Sequence, residues 1–100
     1  MSISEALNLS KDDIRLVKIF KALGNPARLA ILKHLAGCQS CMCGEIVADM
    51  PLAQSTVSQH LKVLREAGLI VGEVNGPAIC YCIDTRNLAW LKQKISEIRW

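Results

Sequence analysis

The stretch Gln54-Ser55-Thr56-Val57-Ser58-Gln59-His60-Leu61-Lys62-Val63-Leu64-Arg65-Glu66-Ala67-Gly68 decides the reading of this chain. Val57, Leu61 and Leu64 recur at the spacing of one helix face. Ser55, Thr56, Ser58, Gln59, Lys62 and Arg65 fall mostly elsewhere, so the spacing predicts an amphipathic helix over 54–67 that Gly68 ends. Its apolar face packs on other elements. Its polar face offers small hydrogen-bonding and basic side chains of the kind that fit the DNA major groove. An ordinary solvated helix face has the same composition, so the neighbouring elements carry weight.

Upstream, Pro51 breaks the chain and a short helix is expected over 44–49. Before it, Ser10 and Asp13 read as a capping box opening a helix with Ile14, Val17, Phe20 and Leu23 on one face, ended by Gly24. Asn25-Pro26 opens a second helix, marked by Leu29, Ile31, Leu32 and Leu35 and stopped by Gly37. Downstream the period changes. Residues 69–74 are β-like, Asn75-Gly76 is a hairpin turn signal, and 78–83 alternates, with Ile79, Tyr81 and Ile83 on one face and Cys80 and Cys82 on the other. Pro77 suits a hairpin tip or an edge strand. Thr85 is expected to cap a last helix with an apolar stripe of Leu88, Leu91, Ile95 and Ile98.

The order helix, helix, helix, helix, strand, strand, helix defines a mainly α fold with a small β-hairpin (α+β): a winged helix-turn-helix. One hundred residues make one domain, 1–100, with 1–9 expected to be flexible. A hydrophobic fraction of 51% is high for so small a chain, and a homodimer interface would absorb the excess. No apolar run approaches the length of a membrane span, and Met1-Ser2-Ile3-Ser4-Glu5 does not open like a secretory signal, so a cytoplasmic location is expected. There the five cysteines are expected to be thiols rather than structural disulfides. A formal charge of +3 is compatible with nucleic-acid binding without demanding it.

In this frame Gln54, Ser55, Thr56, Ser58 and Gln59 are candidates for base-edge or phosphate contacts, and Lys62 and Arg65 for phosphates. His60 is either a DNA contact or a partly buried histidine satisfied by a neighbour. Asn75 and Gly76 occupy the tip of the wing.

The run from Phe20 to Leu32, FKALGNPARLAIL, together with STVSQHLKVLREAGLI at 55–70, resembles the ArsR/SmtB family of metal-sensing repressors, nearest the arsenic-responsive type. The resemblance covers roughly residues 13–98. It implies a homodimer joined through its first and last helices, an apo-protein bound to double-stranded operator DNA, and release when an inducer binds. Ala53 departs from the Ser or Thr that many relatives carry before the reading helix. An alanine cannot accept the capping bond, a loss of roughly 1 kcal/mol.

Cys41-Met42-Cys43 resembles the Cys-x-Cys segment of arsenic, antimony, lead and cadmium sensors in that family, and Cys38 lies three residues before it. Thiolates select soft acceptors, and trivalent arsenic forms three bonds to sulfur. Residues two apart on a helix point about 200° apart, so Cys41 and Cys43 converge only from a loop or a fraying turn. As(III) or Sb(III) is therefore the expected inducer, held by Cys38, Cys41 and Cys43. Relatives often place the third cysteine after the pair, where this chain has Ile46, and no cysteine lies in 1–10 for a lead or cadmium site with N-terminal ligands. The last helix also lacks the His and carboxylate pair of zinc-binding relatives.

Cys80 and Cys82 sit about 6.6 Å apart along their strand, either a second site or two small apolar fillers, with the filler favoured. Cd(II), Pb(II) and Zn(II) remain alternatives to the metalloids, as does a disulfide or polysulfide switch without any ion. A thiol enzyme or a zinc-stabilised interaction module is the remaining reading. It is weak, because Cys38 and Cys41 stand between helices, His34 and His60 have no evident triad partners, and no fourth zinc ligand lies near the cluster. The chain is not expected to be an enzyme.

Overall fold

The computed structural model describes the backbone of residues 1–38, 41–43, 50–76 and 78–99, and the side chains of all of these except Met42, Cys43, Asn75 and Ala78. The helix expected over 44–49 and the placement of Pro77 lie outside the described residues.

Helix α2 (Lys11–Leu23) begins on the capping box read from the sequence. Ser10 Oγ accepts from the Asp13 amide at 3.0 Å and Asp13 accepts from the Ser10 amide at 3.0 Å. Ahead of it, in the segment expected to be flexible, Ile3–Ala6 forms a one-turn helix, α1, capped by Ser2. Helix α3 (Pro26–Ala36) has Pro26 in its first turn and Asn25 as its cap, with Asn25 Oδ1 accepting from the amides of Ala27 and Arg28. Helix α4 (Gln54–Glu66) starts at Ala53 with no side-chain cap. The hairpin pairs β2 (Ile70–Asn75) with β3 (Ala78–Ile83) in the register Val71↔Cys82, Glu73↔Cys80, Asn75↔Ala78. The last helix, α5 (Thr85–Glu97), is capped by Asp84, which accepts from the Asn87 amide. Thr85 is the first residue inside the helix rather than its cap, because the Asp84 carboxylate reaches the orphan amide from one position earlier.

The core is apolar and centred on the helices. Ile19 of α2, Ile31 of α3, Val57 and Leu64 of α4, and Leu69 and Ile70 at the start of the hairpin are fully buried. Leu91 brings α5 onto the same cluster. Each such side chain contributes about 1.5–3 kcal/mol of transfer free energy. Gly68 turns the chain from α4 into β2 at φ +81°, and a Cβ there would meet Asn87 Nδ2 at 2.9 Å. That amide nitrogen donates to the Gly68 carbonyl at 2.8 Å, while Asn87 Oδ1 accepts from Arg15 at 2.9 Å. Arg15 also lies 3.8 Å from the Trp90 ring centroid. The wing base, α2 and α5 are therefore locked to one another through Asn87 and Trp90.

A third strand was not anticipated. Met42–Cys43 forms β1, which pairs antiparallel with the outer edge of β3 in the register Met42↔Tyr81, Cys43↔Cys80, giving the sheet order β1-β3-β2. Two residues are too few to show a period. The strand exists because β3 offers an open edge about forty residues away in sequence.

Candidate nucleic-acid interface and cysteine cluster

Packing orients α4. With Val57 and Leu64 at 0% exposure and Leu61 at 4%, one face is anchored in the core. Gln54, Ser55, Thr56, Ser58, Gln59, Lys62 and Arg65 are all exposed on the remaining surface. Seven of the eight candidate contacts on this helix thus share its open side. The eighth, His60, is half-buried, and its Nδ1 lies 3.2 Å from Arg28 Nη1. A guanidinium can only donate, so Nδ1 accepts and the ring proton sits on Nε2. Arg28 also donates through Nε to the Ala22 carbonyl and through Nη2 to the Lys21 carbonyl. One side chain thus ties the C-terminal end of α2 to α4. Sequence reading missed Arg28. Its signal was an arginine two residues inside a capped helix, which alone reads as surface charge.

At the wing, Gly76 is exposed at φ +63°, as an Asn-Gly turn requires, and Val74 beside it is 83% exposed. Asn75 is placed by its backbone, in register with Ala78. The helix and the hairpin tip are the two elements a winged helix presents to a duplex.

The cysteines depart most from expectation. Cys41 is joined to Cys82 by a disulfide, with their Cα atoms 4.5 Å apart. Cys80 is 4% exposed and also disulfide-bonded. Neither is therefore a simple apolar filler, and the expectation that all five are thiols is overturned for Cys41, Cys80 and Cys82. The physical reason is β1: pairing it with β3 continues the ladder to put Cys41 against Cys82, within bonding range. The two cysteine groups, separate in the sequence, share one sheet. Cys43 is described by its backbone alone, opposite Cys80 in the ladder. Cys38 stands at the end of α3, its thiol donating to the His34 carbonyl at 3.2 Å.

Glu73, which sequence reading did not single out, completes the cluster. Its carboxylate and the sulfurs of Cys41 and Cys82 all lie within 4.8 Å of one another. Only the strand register, Glu73 opposite Cys80, could have revealed it. Beside the disulfide is a cleft of about 410 Å³ lined by Leu35, Cys38, Cys41, Cys82, Leu88 and Lys92. Wing, α3 and α5 therefore meet beside these cysteines.

A polar-faced helix seated against a helical core, followed by a β-hairpin, defines the class as a winged helix-turn-helix protein. The family model described as "Bacterial regulatory protein, arsR family" matches residues 25–71. The chain is 38% identical to the HTH-type transcriptional repressor SmtB of Mycobacterium tuberculosis over 72 residues, 72% of this chain and 53% of that protein. It thus spans about half the length of that curated relative. It is 41% identical to an uncharacterized HTH-type transcriptional regulator of Methanocaldococcus jannaschii, over 69% of this chain and 79% of that one. Among solved structures, reduced HlyU from Vibrio cholerae N16961 superposes with a TM-score of 0.68 at 29% identity, covering 90% of this chain and 92% of that one. The chain belongs to the ArsR/SmtB family of transcriptional regulators.

Proposed function

We propose that this chain, acting as one domain over 1–100, is a cytoplasmic repressor that binds double-stranded operator DNA as a homodimer and is released when a thiophilic ligand engages its cysteines. The observation that carries the DNA-binding part is the exposed polar face of α4 on a helix whose other face is buried. Gln54, Ser55, Thr56, Ser58 and Gln59 address base edges or phosphates, and Lys62 and Arg65 address phosphates. Asn75 and Gly76 bring the wing to the backbone. His60 acts mainly by holding α4 to Arg28, with Nε2–H left to meet the duplex. Dimerisation is supported by Ile14, Val17 and Phe20, which α2 leaves 42–46% exposed along one side. Among the described residues no helix is long and apolar enough to cross a membrane. The relatives named above are regulators, which supports a protein without catalytic activity.

As(III) or Sb(III) is the proposed inducer, bound by Cys38, Cys41 and Cys43 after a dithiol reductant opens the Cys41–Cys82 bond, supplying two electrons and two protons and leaving as its own disulfide. A ligand there pulls on the segment leading into α4 and favours a conformation that fits DNA less well. A second reading is favoured by one observation: Cys41 bonded to Cys82 makes a thiol redox or persulfide switch of the same fold. A gel shift on DNA from the gene's own promoter separates them. Release of the reduced protein by As(III), lost in Cys41→Ser and Cys43→Ser, supports the metalloid reading. Release by peroxide or polysulfide alone transfers the function to the redox reading. No shift with any promoter fragment removes the repressor assignment.

A further inference from the structure

Asn25 caps α3 by accepting from the Arg28 amide at 3.2 Å, which fixes where the Arg28 side chain starts. From there the guanidinium reaches the last turn of α2. Nε donates to the Ala22 carbonyl and Nη2 to the Lys21 carbonyl, both among the carbonyls a helix end leaves without intrahelical partners. A guanidinium is planar, and its N–H groups stand in one rigid fork. Two bonds to a helix end therefore set its plane, and the remaining Nη1 is aimed at His60 Nδ1 at 3.2 Å.

We propose that Arg28 is a positioning residue for DNA binding: it locks His60 in the neutral Nε2–H tautomer, so that Nε2–H donates to a phosphate oxygen of the duplex. This deepens the reading of α4 as the DNA-facing helix and rests on it.

The bond made by one ring nitrogen decides what the other presents. A neutral imidazole has two tautomers, and only one carries a donor at Nε2. Among the described residues no buried side-chain nitrogen or oxygen lacks a hydrogen-bond partner, and Arg28 is the only partner of the His60 ring. Nε2 therefore reaches the surface. The ring is half-buried at the margin of α4, between the buried Val57 and Leu61 and the exposed Thr56 and Gln59. The middle of a reading face meets base edges, and its margin meets the strand backbone. A short ring at that margin suits a phosphate. The contact is uncharged, so it adds affinity without displacing a counterion, unlike Lys62 or Arg65.

The test uses the full chain with nitrogen-15 in its 2 histidines, at about pH 8, above the ordinary histidine range. Long-range proton–nitrogen NMR spectra of the free protein read the tautomer, and His34→Gln assigns the His60 signals. Wild type is expected to show Nε2–H, and Arg28→Met a mixture of both tautomers. Gel shifts on DNA from the gene's own promoter, and on a base-substituted duplex, read the contact. Asparagine places its amide where Nδ1 was, and glutamine places its amide where Nε2 was. His60→Asn keeps an acceptor for Arg28 and loses the outer donor. It is expected to bind both duplexes about tenfold more weakly than wild type, with the salt slope unaltered. His60→Gln supplies an outer donor that needs no tautomer, and is expected to bind about tenfold more tightly than His60→Asn. Arg28→Met is expected to weaken binding in the wild-type background and to add no loss in the His60→Gln background. Melting curves establish that each variant is folded. Should Arg28→Met not fold, Arg28→Lys, which keeps the charge and loses the fork, takes its place. Nδ1–H in wild type overturns the proposal, as does an equal loss from the Arg28 variant in both backgrounds, which leaves Arg28 a brace between helices. A His60→Asn loss confined to the promoter sequence moves the contact to a base edge and overturns the phosphate assignment. Failure of wild type to shift any promoter fragment strikes the repressor assignment, while the tautomer is read without DNA.

Discussion

The helical core and the thiol-bearing sheet edge are held by different forces. Around α4 the structure rests on Ile19, Ile31, Val57 and Leu64, none of which retains any exposed surface. Around β1 and β3 it rests on two residues of strand pairing, the Cys41–Cys82 bond and the disulfide of Cys80. Apolar burial depends little on the chemical environment. A disulfide depends on redox poise. The first region can hold the exposed face of α4 in place whatever the redox state of the cysteines. The second can change state without unfolding the first, and its strand pairs directly with β3 of the wing, so a local change there reaches the hairpin.

The largest expected effect strikes the core. Leu64→Ala removes a fully buried side chain from the centre of α4's inner face, and a loss of about 2–5 kcal/mol is expected in denaturant unfolding. A domain of this size has about 5–15 kcal/mol in total, so DNA binding should fall with stability. If Leu64→Ala stayed as stable as wild type, the contrast between a rigid core and a switchable edge would fail at its first term.

Next comes the sheet edge. Reducing the Cys41–Cys82 bond opens a loop of 41 residues in sequence separation, and the oxidised protein is expected to be more stable by about 2–4 kcal/mol. Thermal melts of oxidised wild type and oxidised Cys82→Ser measure this, since a dithiol would also reduce the disulfide of Cys80. Under reduction, far-ultraviolet dichroism at low temperature should stay near its oxidised value, because the helices do not depend on the bond. Loss of helical signal on reduction would show that the two regions are not separable.

The core region was legible in the sequence because its signals are local. Ser10 with Asp13, Asn25 with Pro26, and the Val57, Leu61, Leu64 spacing each act within a turn or two, and the structure places all three helices there. The reading face of α4 followed from the same spacing. The sheet edge was not legible, because each of its decisive facts is a pairing across distant chain. Nothing near Cys41 announces Cys82, and nothing near Glu73 announces either. Cys80 and Cys82 were weighed as fillers over a second site because free cysteine is commonly buried, and strand alternation alone cannot say whether a third strand pairs with the edge of β3. Arg28 and Asn87 were missed for the same reason, their partners lying 32 and 72 residues away at His60 and Arg15.

Asn87 sits where α2, α5 and the base of the wing meet, so its removal grades the coupling between the wing and the helices. Asn87→Ala leaves the Gly68 carbonyl and the Arg15 guanidinium short of a partner, and a loss of about 1–3 kcal/mol is expected. The wing base should loosen more than the core. Amide exchange is expected to quicken at Gly68–Leu69 and at Asp84, whose amide donates to the Leu69 carbonyl, while Ile31 and Leu64 remain protected. Equal loss of protection across all of these positions would mean that wing and core open as one unit.

The smallest expected effect improves the protein. Helix α4 begins at Ala53 with extended backbone, φ −64° and ψ 148°, which is the geometry a capping serine adopts, yet no side chain accepts its first amides. Ala53→Ser supplies an acceptor at that point without altering the core, since Ala53 is exposed. A stability gain of about 0.5–2 kcal/mol is expected. The same hydroxyl lies at the end of α4 where the helix amides and the helix dipole favour an anion. A phosphate contact there would strengthen promoter binding alike for matched and mismatched sequences, since phosphate contacts carry no base information. The measurement is a paired one, unfolding free energy and promoter affinity at two salt concentrations. A gain in stability with unchanged affinity would keep the capping argument and remove the phosphate. A gain in neither would mean that the exposed amides at the start of α4 are already satisfied by solvent, and that the reading helix gains nothing from a cap.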